Sequence, residues 1–198
     1  MINLHNKTFA VFGLRGTGKS VFVNKIATSF GKRAMVFDTL NEVPDTVNYM
    51  SYSPKVKNSV AELEMVIKAI VDSKEYRAFI IDEANRYCPS KPSPLPSAVA
   101  DLNDQCRHYG ISVGYVARRP TQLNQDVTEL AEYLFIFHLK GKSDIQYLNN
   151  LAEGLGQAVL SCHDYQFIQV NPDRSFQLCS PVKPDKVFLD RARIITPK

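Results

Sequence analysis

The stretch Gly13-Leu14-Arg15-Gly16-Thr17-Gly18-Lys19-Ser20 constrains this chain more than any other. It satisfies G-x-x-x-x-G-K-[ST] at every position. Its surroundings fit as well. Thr8 to Gly13 is a short apolar, β-rich run. Lys19 to Phe30 follows at helical spacing, with Val21, Val23, Ile26 and Ala27 suited to a buried side. The glycines let the backbone curl so that successive N–H groups point inward at phosphate oxygens. The helix N-terminus adds partial positive charge. Gly13, Gly16, Thr17 and Gly18 form the cradle, Lys19 reaches the β- and γ-phosphates, and the Ser20 hydroxyl ligates Mg²⁺. Arg15 adds a cation to the loop, either facing solvent or touching a phosphate.

A second apolar run, Phe79-Ile80-Ile81, ends in Asp82 and Glu83. Beside a phosphate-binding loop, Asp82 is placed to hold Mg²⁺. Glu83 is placed to orient and deprotonate an attacking water, which favours hydrolysis over transfer to another acceptor. Asp38 ends another apolar run, as either an outer partner of magnesium or a turn cap. Arg118 and Arg119 directly follow Ile111–Ala117 and read as a γ-phosphate contact or a strand-end salt bridge.

Strand-like and helix-like segments alternate over most of the 198 residues, which predicts an α/β fold with a mainly parallel sheet. Strands are expected at Arg33–Asp38, Ala78–Ile81, Ile111–Ala117 and Tyr133–Leu139. Helices are expected at Ser59–Ser73, Ser97–Tyr109 with Ser97 as cap, Gln122–Ala131 and Ser143–Leu155. Tyr165–Val170 and Ser175–Cys179 read as a terminal β-hairpin across an Asn171–Arg174 turn. Four prolines make Cys88–Ser97 a stiff exposed loop. The length favours one domain, with a core at about 8–150 and a hairpin and basic tail at 160–198. The 44% apolar share excludes a disordered or low-complexity chain. No apolar run approaches the ~18 residues of a membrane span, and the N-terminus lacks the build of a secretory signal. The net charge of +4 permits a nucleic-acid partner without arguing for one. Cys88, Cys106, Cys162 and Cys179 show no CxxC spacing and read as reduced intracellular thiols.

Four pieces in order carry a resemblance: GLRGTGKS, FIIDEANRYCP, RHYGISVGYVARRPTQL and ELAEYLFIFHL. Together they resemble the HerA–FtsK superfamily of P-loop motor ATPases. The compact size resembles, within it, the genome-packaging ATPases of membrane-containing icosahedral viruses. The resemblance implies a RecA-like ASCE P-loop NTPase fold, a three-layer sandwich around the parallel sheet. It implies ATP and Mg²⁺ as ligands and double-stranded DNA as cargo. A homo-oligomeric ring, commonly a hexamer, and capsid or portal-vertex partners are also implied. The expected location is host cytoplasm, with possible virion association. In such rings a neighbour supplies an arginine finger. Arg107 matches the family's arginine before the fourth strand, with Arg86 and Arg119 as rivals. The family's glutamine after that strand is replaced by Arg118, a longer cation that would act as a cis charge stabiliser. Lys91 in the Pro-rich loop and the basic tail Lys183–Lys198 are the candidate DNA contacts.

Three alternatives stand beside this reading. A nucleoside or nucleotide kinase shares the size and the P-loop, but the paired CxxC motifs and an arginine-rich lid are missing. A regulatory GTPase would need an N/T-K-x-D motif on a late strand and a D-x-x-G switch. A conjugation, phage-assembly or plasmid-mobilisation ATPase would share the chemistry.

Overall fold

The computed structural model describes residues 3–44 and 47–184. The basic tail expected as a DNA contact lies, from residue 185 on, outside the described residues. Eight strands form one sheet. They are β1 (Thr8–Phe12), β2 (Ala34–Phe37), β3 (Met50–Tyr52), β4 (Ala78–Ile81), β5 (Ser112–Ala117), β6 (Tyr133–Phe137), β7 (Phe167–Val170) and β8 (Phe176–Cys179), in spatial order β3-β2-β4-β5-β1-β6-β7-β8. The first six run parallel, and β7 and β8 continue the sheet antiparallel as the expected hairpin. The predicted α/β fold with a mainly parallel sheet and a terminal hairpin is what the chain adopts.

Strand alternation sorts side chains onto two faces. On β1, Phe9 and Val11 join the Phe22, Val23, Ile26 and Ala27 side of α1 (Lys19–Phe30). Ala10 and Phe12 join the opposite core. That core includes apolar residues of α2 (Val60–Ser73), α3 (Ser97–Tyr109), α4 (Gln125–Leu130), α5 (Lys142–Leu151) and α6 (Leu155–Leu160). Helix, sheet and helix are the three layers. A Cβ at Gly114 of β5 would collide with the Phe9 ring on neighbouring β1. The glycine in ISVGYVA is therefore a seat for an aromatic ring.

Three local expectations are corrected. The helix cap is not Ser97: Pro96 is the N-cap and the Ser97 hydroxyl donates to Glu64 Oε1 at 3.1 Å. The Ala98 N–H donates to the same oxygen at 3.3 Å, so α2 supplies the acceptor that α3 lacks. The expected Ser143–Leu155 helix is two helices, because Ala152 is extended and Gly154 takes φ 78. The Pro-rich loop is pinned rather than free-standing. Asn124 Nδ2 donates to the Pro89 and Ser93 carbonyls at 3.3 and 3.0 Å, and Cys88 is fully buried. The short edge strand β3 is an element that the sequence reading lacks.

Candidate functional site

Parallel pairing brings the C-terminal ends of β1, β2, β4, β5 and β6 to one edge of the sheet. The register shows it: Phe12 pairs with Ala117 and Ile136, and Phe37 with Ile81. The segments leaving these ends carry Gly13–Ser20, Asp38, Asp82–Glu83, Arg118 and His138. Ligands bind at this edge in open parallel sheets, and the β1 position, between β5 and β6, is where the winding reverses.

The phosphate-binding loop closes on itself. Thr17 Oγ1 donates to the Leu14 carbonyl at 2.8 Å, and Lys19 Nζ donates to the same oxygen at 3.0 Å. A Cβ at Gly13 would stand 2.6 Å from Phe137 Cβ and 2.7 Å from Thr17 Oγ1. Only glycine lets the loop pass this close to the end of β6. The Lys19 ammonium is pushed below its ordinary pKa by burial, against the opposing pull of Asp82 and Glu83. Ser20, at the start of α1, and Arg15 are both exposed.

Asp82 is largely buried. Its carboxyl is pushed up to about 6, first by burial and then by the charge of Glu83. Its backbone is fixed from both sides: the N–H donates to the Phe37 carbonyl at 3.0 Å, and its carbonyl accepts from Thr39 Oγ1 at 2.6 Å. A buried carboxylate crowded by a second one suits a hard divalent cation, and the Ser20 hydroxyl is an oxygen donor of the same kind. Glu83 holds its backbone at φ 49, ψ 42, in the left-handed region, at the start of a short turn of 3₁₀ helix. That conformation in a non-glycine residue costs roughly 1–3 kcal/mol. Arg118 Nε lies 3.0 Å from Glu83 Oε1, with Arg118 about half exposed and Glu83 largely covered.

The remaining candidates separate. Asp38 is a cap: its carboxylate accepts the N–H groups of Glu42 at 3.0 Å and Val43 at 2.7 Å. Arg119 turns away from the site, binding buried Asp144 at 2.7 Å and Ser143 at 3.0 Å. Lys91 pairs with Asp126 at 2.7 Å. Arg107 binds Glu132 at 3.0 Å, and Glu132 also holds Lys7 at 2.7 Å. Lys7 and Glu132 immediately precede β1 and β6, so Arg107 sits at the opposite edge of the sheet. Arg86 is exposed, three residues beyond Glu83, and donates to Asn58 Oδ1 at 3.3 Å.

Two features of the edge escape sequence reasoning. His138 directly follows β6, which is a usable signal for a site position. Tyr165 reaches the loop from the connector between α6 and β7: its Cδ1 would lie 3.4 Å from a Cβ at Gly18. Its position in sequence gives no hint of this.

No known family pattern and no curated protein matches the sequence. Solved structures do match. The genome-packaging NTPase B204 of Sulfolobus turreted icosahedral virus 2, in complex with ATP-γ-S, superimposes with a TM-score of 0.76 at 16% identity, over 92% of this chain and all of B204. The fold is that of a viral genome-packaging NTPase. The B204 DNA-packaging ATPase of Sulfolobus turreted icosahedral virus gives the same TM-score at 13% identity, over 90% of this chain and 98% of that one. The N-terminal domain of zonular occludens toxin from Neisseria meningitidis follows at 0.54 and 16% identity, over 93% and 97% of the two chains. Both kinds of neighbour are P-loop ATPases of the FtsK–HerA type, the type that the four sequence pieces resemble. Among the described residues no helix is long and apolar enough to cross a membrane.

Proposed function

We propose that this chain hydrolyses ATP and uses the energy to move double-stranded DNA, specifically to package a viral genome into a preformed capsid. The observation that carries the catalytic part is the meeting of Lys19, Asp82, Glu83 and Arg118 at one strand edge. B204 supports the packaging part, because its titles name packaging and its fold is matched along its whole length.

In this reading the loop amides of Gly13 to Gly18 and the Lys19 ammonium hold the triphosphate. Ser20 and Asp82 would hold Mg²⁺, which offsets charge on the β- and γ-oxygens when bound. Glu83 takes a proton from water as the water oxygen bonds to the γ-phosphorus. The bond to the β–γ bridging oxygen breaks, and ADP and phosphate leave. Arg118 explains how this base is kept quiet without substrate. Its guanidinium neutralises Glu83, and a neutralised carboxylate is a poor proton acceptor. A γ-phosphate competes for the same fork of N–H donors. Transfer of Arg118 from Glu83 to phosphate frees the base and places a cation on the developing charge. The missing family glutamine is thereby replaced by a different device.

A ring of subunits completes the reading. Arg107 lies at the far edge of its own sheet, so it can reach a γ-phosphate only in a neighbouring subunit. Arg86, exposed on the site edge, is its rival.

The test is ATP turnover by the purified chain with and without long double-stranded DNA, with Glu83→Gln as blank. Turnover that rises with DNA and disappears in the variant supports the whole reading. Turnover indifferent to DNA removes the motor and leaves the ATPase. Phosphate that appears on an added nucleoside instead of in solution replaces it with a kinase.

A further inference from the structure

We propose that the cavity between the phosphate-binding loop and residues 162–166 receives the nucleobase and ribose, with Tyr165 as the surface on which the base stacks. This rests on the nucleotide reading above and deepens it.

The direction of the phosphate chain comes first. Glu83, Asp82 and Arg118 follow β4 and β5, so the γ-phosphate must sit on the β5 side of the loop. The loop follows β1, and β6 is the neighbour of β1 on the other side. A nucleotide whose reactive end points toward β5 therefore leaves the loop toward β6. On that side the Leu14 N–H is tied to the His138 carbonyl at 3.5 Å, which holds the loop to the end of β6.

A cavity of about 360 Å³ opens there, lined by Gly16 and Thr17 of the loop and by His138, His163 and Tyr165. It is within the size range of small-molecule sites, about 300–1,000 Å³. Its walls match a nucleoside. Tyr165 is 61% exposed, a large ring left in solvent beside the loop. Asp164 and Tyr165 take φ 45 and φ 67, so two successive non-glycine residues hold left-handed backbone there. The ring stands against Gly18, at the start of α1. His138 Nδ1 is buried without a hydrogen-bond partner among the described residues. Buried polar nitrogens are almost always satisfied. A ribose hydroxyl or a base nitrogen at the cavity floor supplies the missing partner. Stacking on Tyr165 accepts any base, because every base has a π-face. The cavity thus adds affinity without strong choice among nucleotides.

The experiment is calorimetric titration of the full chain with Mg·ADP and, separately, with magnesium tripolyphosphate, which has phosphates and no nucleoside. Wild type is compared with Tyr165→Ala, Tyr165→Phe and His138→Ala. Tyr165→Ala is expected to weaken ADP about tenfold and to leave tripolyphosphate unchanged. Tyr165→Phe is expected to restore ADP binding, which shows that the ring matters rather than the fold. His138→Ala is expected to weaken ADP alone, by a smaller factor. Unchanged ADP affinity in Tyr165→Ala, or an equal loss for both ligands, overturns the base site while the phosphate site stands. Wild type that binds neither ligand overturns both readings.

Discussion

The two flanks of the phosphate-binding loop are made of different materials. On the β5 side stand Asp82, Glu83 and Arg118, facing Lys19. On the β6 side stand Phe137, His138 and Tyr165, with no ion pair among them. Charge that must be created and dispersed is handled on one flank, and a largely uncharged body is held on the other. The loop separates the two tasks, so turnover and affinity should come apart when each flank is altered. Tyr165→Ala tests the second flank, and the following variants test the first.

The largest effect belongs to Glu83→Gln. Turnover should fall about 10²–10⁴-fold, measured by phosphate release, while calorimetric ADP affinity stays near wild type. A parallel loss of ADP binding would erase the distinction between flanks.

Next comes the protonation of Asp82. Its carboxyl is pushed up to about 6 from an ordinary value of 3.8. Between those values the folded chain holds a proton that the unfolded chain has released. Stability from this group is therefore present at low pH and lost as pH rises through the window, on the order of 3 kcal/mol. Melting curves in chelator should show the decline, Asp82→Asn should flatten it, and Mg²⁺ should raise the wild-type melting temperature at pH 7 but not that of the variant. A decline that survives in Asp82→Asn would assign the strain elsewhere.

Arg118→Ala should lower turnover about 10²-fold, the scale of losing one charge-stabilising donor. An increase would mean that Arg118 only restrains Glu83 and never reaches phosphate. The smallest effect separates neighbours in sequence. Asp144→Ala, which removes the partner of Arg119, should cost about 2 kcal/mol in denaturant unfolding and leave turnover intact. Lost turnover at full stability would bring Arg119 into the site after all.

What the sequence disclosed follows the range of the interactions involved. The Gly13–Ser20 loop is legible because it is contiguous, and Asp82–Glu83 because an apolar run ends abruptly in two acids. The alternation of β1, α1, β4, α3 and β5 is legible because each presents a local period. Contacts between distant residues are not. Glu64 serves the N-terminus of α3 from 33 positions away, so Ser97 alone looked sufficient. Arg118 finds Glu83 across 35 positions. Strand β3 is three residues long and half-exposed, with no pattern beyond its pairing to β2. Arg118 and Arg119 look equivalent as letters, and only their partners distinguish them.

The left-handed backbone at Glu83 has a consequence for how the chain can change. Asparagine and glycine tolerate that conformation better than glutamate does. Random substitution judged by folding alone would drift toward them at this position. A version of the chain that carried asparagine there would be expected to hold its fold at least as well and to have no base. Glutamate is thus kept against the grain of its own backbone, and relaxation at this single position would mark a lineage in which the chemistry had ceased to matter.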